Sequence, residues 1–288
     1  MSRFLQQVAA FVRENQYPLY SISEICGDSH VDTVQLQVAN PCQNSYSVAK
    51  AFVVTALGIL YDRGLLSPED KLINILLPEI SDDTLQAMDE RWYTVTLDDA
   101  LTHKLALPKN FLDIDQQDPA TMGRDYLHYV LTAPLTGDHG LERCYTDAAY
   151  YLLSRVVERL SGKGLDAFLW EALFYGLGVQ EAAWSRCPMG HCIGATGLYI
   201  RSSDMVKLGK LYLDKGTYGG IRYLSREWVE LVLSRGYELR PCGSAAWGKA
   251  GMRGQMLLAI PSQNRVVAWH GCGKINGREE IIAYIESL

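Results

Sequence analysis

The chain has 288 residues and a net charge of −6, and apolar residues make up 48% of it against 21% charged. This composition is ordinary for a globular protein with enough apolar material for a core, so neither a metal nor a disulfide is needed for stability. The negative charge and the lack of a lysine- or arginine-rich block argue against nucleic-acid binding. The most apolar stretch, 51–61, is shorter than the roughly 20 residues that cross a bilayer, so we predict no membrane span.

Seven cysteines, an odd number at scattered spacings, predict free thiols in a reducing compartment. Cys187, His191 and Cys192 are grouped as metal ligands can be, but the sequence has no second pair at zinc spacing. We therefore predict no metal and no cofactor. Apolar residues recur at helical spacing over 4–12 with polar residues between them, which favours a surface helix over an export signal. The expected location is the cytoplasm.

The N-terminal elements read as a helix, a hairpin and a second, buried helix. The first helix runs to about Asn15, and two strand-like segments surround a turn of the hairpin type (17–25, 31–39 and 26–29). The segment 47–63 is apolar nearly all round and ends before Gly64, which is typical of a buried helix with a glycine C-cap.

The middle of the chain is mostly helical, and strands return near its end. Helices are predicted over 148–160 and 203–213, and two strands are followed by a last helix (256–260, 265–269 and 279–287). This order predicts an α/β protein of the α+β type, with an antiparallel sheet flanked by N- and C-terminal helices and an inserted helical lobe. In one domain, we assign 1–40 plus 196–288 to the sheet lobe and 41–195 to the helical lobe, with the active site expected where the lobes meet.

Ser47 and Lys50 form the first motif able to carry chemistry. They stand at i and i+3 at the start of the buried helix, so the hydroxyl and the amine lie on one face. A serine hydroxyl becomes a nucleophile when a base takes its proton. A lysine in apolar surroundings can be that base, because desolvation disfavours its charged form. The helix start also supplies free backbone N–H groups. The alternative is a chance spacing of two common residues.

Tyr145 and Asp147 form the second motif, in which residues i and i+2 of an extended loop point the same way. A phenol near a lysine ammonium loses its proton more easily and can relay it. Asp147 is then able to hydrogen-bond Lys50 or a substrate amide. The structural alternative is that Asp147 is the N-cap of the helix over 148–160 and Tyr145 is packing.

Lys249 and Gly251 form the third motif, expected at the start of a strand. A cation followed by a glycine suits recognition of a substrate beside exposed main chain, since glycine lets a ligand come close. The N–H of Met252 is then placed to join the N–H of Ser47 in an oxyanion hole.

In this order the three motifs resemble the Ser-x-x-Lys, Tyr-x-Asn and Lys-Thr-Gly set of class C β-lactamases, DD-peptidases and related esterases. Flanking segments extend the resemblance across almost the whole chain (46–66, 101–103, 145–162 and 194–209). The resemblance implies the family fold, acylation of Ser47, and proton transfer by Lys50 and Tyr145. It also implies an oxyanion hole made by the N–H groups of Ser47 and Met252, with Lys249 assisting Tyr145 or the substrate.

Two departures from the family pattern bear on the substrate. Asp147 stands where the family has asparagine, which places a negative charge beside Lys50 and favours its protonated form. Ala250 replaces the threonine hydroxyl that the resemblance assigns to a β-lactam carboxylate.

The leading hypothesis is therefore a serine hydrolase that acts on a small ester, amide or β-lactam through an acyl-Ser47 intermediate. One alternative is a penicillin-recognising β-lactamase or D-Ala-D-Ala carboxypeptidase, and another is a degenerate protein that binds ligands without catalysis. The sequence leaves the oligomeric state open. His103 and His270 are interpreted as structural, because no Gly-x-Ser-x-Gly elbow accompanies them.

Overall fold

The computed structural model describes residues 1–273 and 277–288, which divide into two compact units. The first, the sheet unit, comprises Met1–Phe52, Ala172–Ala183 and Leu198–Leu288. The second, the helical unit, comprises Val53–Glu171 and Trp184–Gly197. The lobe boundaries expected at residues 41 and 196 stay predictions.

The sheet unit contains a six-stranded antiparallel sheet made of β1 (Leu19–Cys26), β2 (Asp32–Gln35), β8 (Arg240–Cys242), β9 (Ala246–Ala250), β10 (Met256–Ile260) and β11 (Arg265–Gly271). Its strands lie in the order β2-β1-β11-β10-β9-β8. A second sheet, of order β3-β5-β4, comprises β3 (Cys42–Asn44), β4 (Ala182–Trp184) and β5 (Leu198–Arg201). A small hairpin pairs β6 (Thr217–Tyr218) with β7 (Ile221–Arg222).

Helices cover both faces of the six-stranded sheet. The helices of this unit are α1 (Arg3–Glu14), α9 (Tyr175–Leu177), α10 (Ser202–Leu213), α11 (Arg226–Arg235) and α12 (Arg278–Glu286). Apolar residues of α1 and α12 share a core with Ile22, Leu258 and Trp269, which point to one side of the sheet. Helix α10 packs on the other side, where a Cβ on Gly209 would lie 2.5 Å from Val266 Cγ1. This arrangement confirms the predicted fold class.

The helix α2 (Ala49–Asp62) begins in the sheet unit and continues into the helical unit. The helical unit also contains the long helix α7 (Asp147–Ser161) and five short helices: α3 (Leu72–Leu76), α4 (Asp82–Ala87), α5 (Leu97–Leu101), α6 (Tyr126–Leu131) and α8 (Leu165–Leu169). Single turns of 3₁₀-helix lie at Tyr46–Val48, Leu77–Glu79, Glu90–Thr94, Pro119–Met122 and Pro261–Gln263, and Trp170–Phe174 forms a π-helical turn. Across the described part of the chain, no helix is both long enough and apolar enough to span a bilayer.

Two details of the sequence interpretation are wrong. The third motif ends a strand instead of starting one, because Lys249 is the penultimate residue of β9. The N-cap of α7 is Thr146 and not Asp147, since the Thr146 hydroxyl accepts a hydrogen bond from the Ala148 N–H. Asp147 is instead the first residue of the helix.

Candidate active site

The first motif lies where a 3₁₀ turn runs into α2. Tyr46 opens the turn with a left-handed backbone (φ 47°), and its N–H donates to Asn44 Oδ1 at 2.8 Å. Ser47 follows, half-buried, and Lys50 lies one helical turn further on. The side chain of Lys50 is completely buried, and its Nζ lies 3.3 Å from Ser47 Oγ. This distance is near the 2.6–3.2 Å range of proton-transfer pairs, which commonly lengthen in the absence of substrate.

The third motif lies next to the first within the sheet unit. A Cβ on Gly251 would lie 2.7 Å from the carbonyl oxygen of Ser45, two residues before Ser47. Backbones can approach so closely only at a glycine. The end of β9 is therefore held against the segment that carries the nucleophile candidate.

The turn after β9 contains the main-chain N–H of Met252, which is the proposed oxyanion donor. The Gly251 N–H donates to the Gln255 carbonyl at 2.8 Å, and the Arg253 N–H donates to Gln255 Oε1 at 3.0 Å. Gln255 is 2% exposed and donates in turn to the Gly271 carbonyl at 3.2 Å, so the turn is anchored on β11. Between these bonded residues, the Met252 N–H makes no hydrogen bond to any part of 1–273 or 277–288. A fixed N–H without a partner is what an oxyanion hole requires.

Lys249 is paired with a carboxylate that sequence reasoning missed. Its Nζ forms an ion pair with Glu238, whose side chain is 1% exposed while that of Lys249 is 10% exposed. Glu238 has a left-handed backbone (φ 64°), which is uncommon for a residue with a side chain. No local pattern marks Glu238, since it reaches Lys249 only through the pairing of β8 with β9. The positive charge of Lys249 is thus compensated by a carboxylate of the same sheet unit.

The second motif belongs to the helical unit, where His103 holds it. Cys144 N–H donates to the His103 carbonyl at 2.8 Å, and Thr146 N–H donates to His103 Nδ1 at 3.3 Å. The rings of His103 and Tyr145 have centroids 4.5 Å apart. His103 is fully buried, so its role in this unit is to fix the backbone and the ring of Tyr145.

Asp147 lies at the N-terminus of α7, where the helix dipole favours a carboxylate. Two further carboxylates, of Asp113 and Asp115, bring oxygen atoms within 4.8 Å of one another and of Asp147. Gln116 Nε2 donates to Asp113 at 2.5 Å, and the Thr196 hydroxyl donates to Asp115 at 2.6 Å. The spacing would allow the three carboxylates to hold a cation. Sequence reasoning missed this group, because Asp113 and Asp115 lie in an irregular loop.

Cys187, His191 and Cys192 all lie in the described part of the chain, and they do not bring three ligand atoms within 4.8 Å of one another. His191 Nδ1 lies 2.8 Å from Glu158 Oε2. Burial raises the pKa of the Cys192 thiol to about 12. Cys187 is buried, and its sulfur accepts a hydrogen bond from the Tyr151 hydroxyl at 3.7 Å.

The fold is that of penicillin-binding proteins and β-lactamases. A penicillin-binding protein homologue from Caulobacter crescentus superposes with a TM-score of 0.74 at 15% identity, covering 97% of this chain and 95% of that one. The family model described as Beta-lactamase matches residues 42–271. The chain therefore belongs to the β-lactamase family, as its three motifs indicated.

Two relatives found by sequence comparison are hydrolases. The 6-aminohexanoate-dimer hydrolase of Paenarthrobacter ureafaciens is 26% identical over 208 residues, which cover 66% of this chain and 50% of that protein. The N-acetylmuramyl-L-alanine amidase of Bacillus subtilis (strain 168) is 27% identical over 145 residues, 47% of this chain and 31% of that protein. The matches thus span half or less of the length of these two relatives.

Proposed function

We propose that this protein is a serine hydrolase that cleaves a small ester or amide through an acyl-Ser47 intermediate. The observation that carries the proposal is the pair of Ser47 Oγ and Lys50 Nζ at 3.3 Å, with the lysine completely buried. Burial disfavours the charged form of an amine, and a neutral amine can accept the serine proton.

In the proposed reaction, Ser47 Oγ attacks the carbonyl carbon of the substrate while its proton passes to Lys50 or Tyr145. The carbonyl oxygen becomes an oxyanion, and the N–H groups of Ser47 and Met252 donate hydrogen bonds to it. The tetrahedral species then expels the alcohol or amine, which takes up the proton, and the acyl group stays on Ser47. Water hydrolyses this ester in a second addition and elimination, and the hydroxyl of Ser47 is regenerated. Lys249, Gly251 and Asp147 are assigned to substrate binding and support.

Amides and esters fit the motifs better than β-lactams do. Ala250 has no hydroxyl to offer a β-lactam carboxylate, and Asp147 replaces the neutral amide of the family pattern. The names of two relatives, an amidase and a hydrolase of the 6-aminohexanoate dimer, point the same way. A penicillin-recognising β-lactamase or D-Ala-D-Ala carboxypeptidase is the competing proposal, and a binding protein without catalysis is the other.

The test is intact-protein mass spectrometry after incubation with a penicillin or with a p-nitrophenyl ester, combined with nitrophenol release. Wild type is compared with Ser47→Ala, and Ser234→Ala serves as the matched control because Ser234 is exposed on α11. We expect ester turnover in wild type and Ser234→Ala, and a loss of at least about a thousandfold in Ser47→Ala.

A Ser47-dependent adduct with the penicillin and none with the ester would favour the hypothesis of a penicillin-recognising enzyme. Equal ester turnover in wild type and Ser47→Ala would overturn the assignment of the nucleophile. The absence of adduct and turnover with both reagents would favour the binding protein.

A further inference from the structure

The residue before the nucleophile candidate has a backbone conformation that its own side chain disfavours. Tyr46 has φ 47°, in the left-handed region. Glycine adopts this region freely, whereas a bulky residue such as tyrosine is under strain there. Strain of this kind persists only where the surrounding structure holds it in place. The contacts that hold Tyr46 therefore bear on the geometry of Ser47.

The side chain of Asn44 holds the N–H of this strained residue. Asn44 Oδ1 accepts a hydrogen bond from Tyr46 N–H at 2.8 Å. This is the contact from residue i to residue i+2 by which asparagine side chains stabilise turns. Asn44 is itself fixed, because it is the last residue of β3 and pairs with Tyr199 of β5. The acceptor for Tyr46 is therefore supplied by a residue of a sheet.

The residue between these two, Ser45, is fixed by main-chain bonds. Ser45 N–H donates to the Leu198 carbonyl at 2.8 Å, and the Ser45 carbonyl accepts from Val48 N–H at 3.1 Å. The peptide group that joins Ser45 to Tyr46 is planar. It is thus held at its carbonyl by Val48 and at its N–H by the side chain of Asn44.

The next peptide group contains the Ser47 N–H, one of the two proposed oxyanion donors. Its carbonyl belongs to Tyr46 and accepts a hydrogen bond from Ala49 N–H at the start of α2. The φ and ψ angles of Tyr46 set how this planar group is turned relative to the one before it. A change of Tyr46 to the right-handed region would therefore turn the Ser47 N–H and move Ser47 Oγ relative to Lys50.

We propose that Asn44 is a positioning residue of the hydrolase, because it keeps Tyr46 left-handed and thereby orients the N–H and the hydroxyl of Ser47. The inference rests on the proposed function and adds to it a residue outside the three motifs. Asn44 acts through Tyr46 and not on the substrate, so its loss should lower kcat and change KM little.

The test compares kcat and KM for p-nitrophenyl butyrate in wild type, Asn44→Ala and Asn44→Ser. Alanine removes the acceptor, and we expect kcat to fall about three- to tenfold, the range of one hydrogen bond, with KM within about twofold. Serine differs from alanine by a hydroxyl that can accept the same N–H more weakly, so Asn44→Ser should have a kcat at least about twofold above that of Asn44→Ala.

Asn40→Ala is the matched control for these variants. Asn40 is exposed, and its Oδ1 accepts the Cys42 N–H at 2.8 Å through the same contact from residue i to residue i+2. Its turn precedes β3 and does not contain the nucleophile. We expect the kcat of Asn40→Ala to stay within about twofold of wild type, and a loss equal to that of Asn44→Ala would overturn the inference.

A second background tests the strain itself. Glycine adopts the left-handed region without a steric cost, so a Tyr46→Gly protein depends less on the Asn44 acceptor. In this background we expect Asn44→Ala to lower kcat less than about twofold. The same factor in both backgrounds would show that Asn44 and the conformation of Tyr46 are not coupled, and it would overturn the inference.

Failure of the positioning role and failure of the proposed function give different results. Ser47-dependent ester turnover that Asn44→Ala leaves unchanged would overturn the positioning role and leave the hydrolase proposal standing. If wild type turns over no ester, hydrogen exchange of the Tyr46 N–H, measured by NMR, decides the contact alone. Faster exchange in Asn44→Ala, slowed again in Asn44→Ser, supports Asn44 as the residue that holds the turn, and equal exchange in all three proteins overturns it.

Discussion

Two cations near the third motif, Lys249 and Arg253, differ in the carboxylates around them. Lys249 has a buried carboxylate, Glu238, as its ion-pair partner, so the third motif contributes less free positive charge than its sequence suggests. Arg253, by contrast, is exposed and lines a cavity whose described lining has no carboxylate.

The pair of Glu238 and Lys249 should be essential to stability as a pair. Glu238→Gln leaves a nearly buried ammonium without its carboxylate, and we expect the free energy of unfolding to fall by about 3–5 kcal/mol. Glu238→Gln combined with Lys249→Met removes both charges and should recover most of the loss. Urea unfolding of wild type, Glu238→Gln, Lys249→Met and the double variant measures this, and additive losses in the double variant would show that the two residues are not coupled.

His270 should make the stability of the protein depend on pH. It is fully buried in β11, its Nε2 hydrogen-bonds the Ile200 carbonyl, and burial lowers its pKa from 6.5 to about 4. Between these values the unfolded chain binds a proton that the folded chain does not. The free energy of unfolding should therefore fall as the pH drops from 6.5 through 4, by up to about 3 kcal/mol from this group.

The measurement is urea unfolding from pH 4 to 8 on wild type and His270→Gln. Burial also raises the pKa of Glu24, but that carboxyl is present in both proteins and cancels in the difference. Wild type should lose stability relative to His270→Gln below pH 6.5, and parallel pH curves would contradict the assignment.

At the scale of elements, the contact between the end of β9 and the segment before α2 sets the geometry of the site. Gly251→Ala places a methyl group 2.7 Å from the Ser45 oxygen and 2.9 Å from Gln255 Cβ, so the strand end must move. Because Met252 follows directly, we expect kcat to fall at least about tenfold as the oxyanion donor shifts, with a loss of about 1–3 kcal/mol in stability.

Gly137→Ala is the control for this prediction, because a Cβ there has nothing within 4 Å. Ester hydrolysis and urea unfolding are measured on both variants. A Gly251→Ala protein that is destabilised but keeps the wild-type kcat would remove Met252 from the proposed mechanism.

Elements with a strong internal pattern were predictable from the sequence, and elements defined by their partners were not. The helix α10 and the strand β10 were predicted within one residue of their observed bounds, from apolar periodicity and a serine-rich start. The strand β9 was predicted too late in the chain, starting at Lys249, since Ala246–Ala250 has two alanines and a glycine and becomes a strand by pairing with β10 and β8. The helix α11 was also missed, although Ser225 caps it with a hydrogen bond to the Trp228 N–H.

For the whole molecule, the order of helices and strands predicted the fold class, but the sequence did not predict which residues lie next to the motifs. The proximity of Gly251 to Ser45 and of Glu238 to Lys249 is created by a sheet that joins both ends of the chain. Contacts between residues that are separated in the chain produce no pattern in the sequence around either residue. The same limit applies to the carboxylates of Asp113 and Asp115 near Asp147.

Cys272, directly after β11, is a half-buried free thiol with a practical consequence. It borders the same cavity as Arg253, of about 330 Å³, and Gln37 Nε2 lies 3.5 Å from its sulfur. An electrophilic inhibitor can therefore label this protein at a cysteine as well as at a serine. Each hit of a screen of such inhibitors needs peptide mapping before its target atom is assigned.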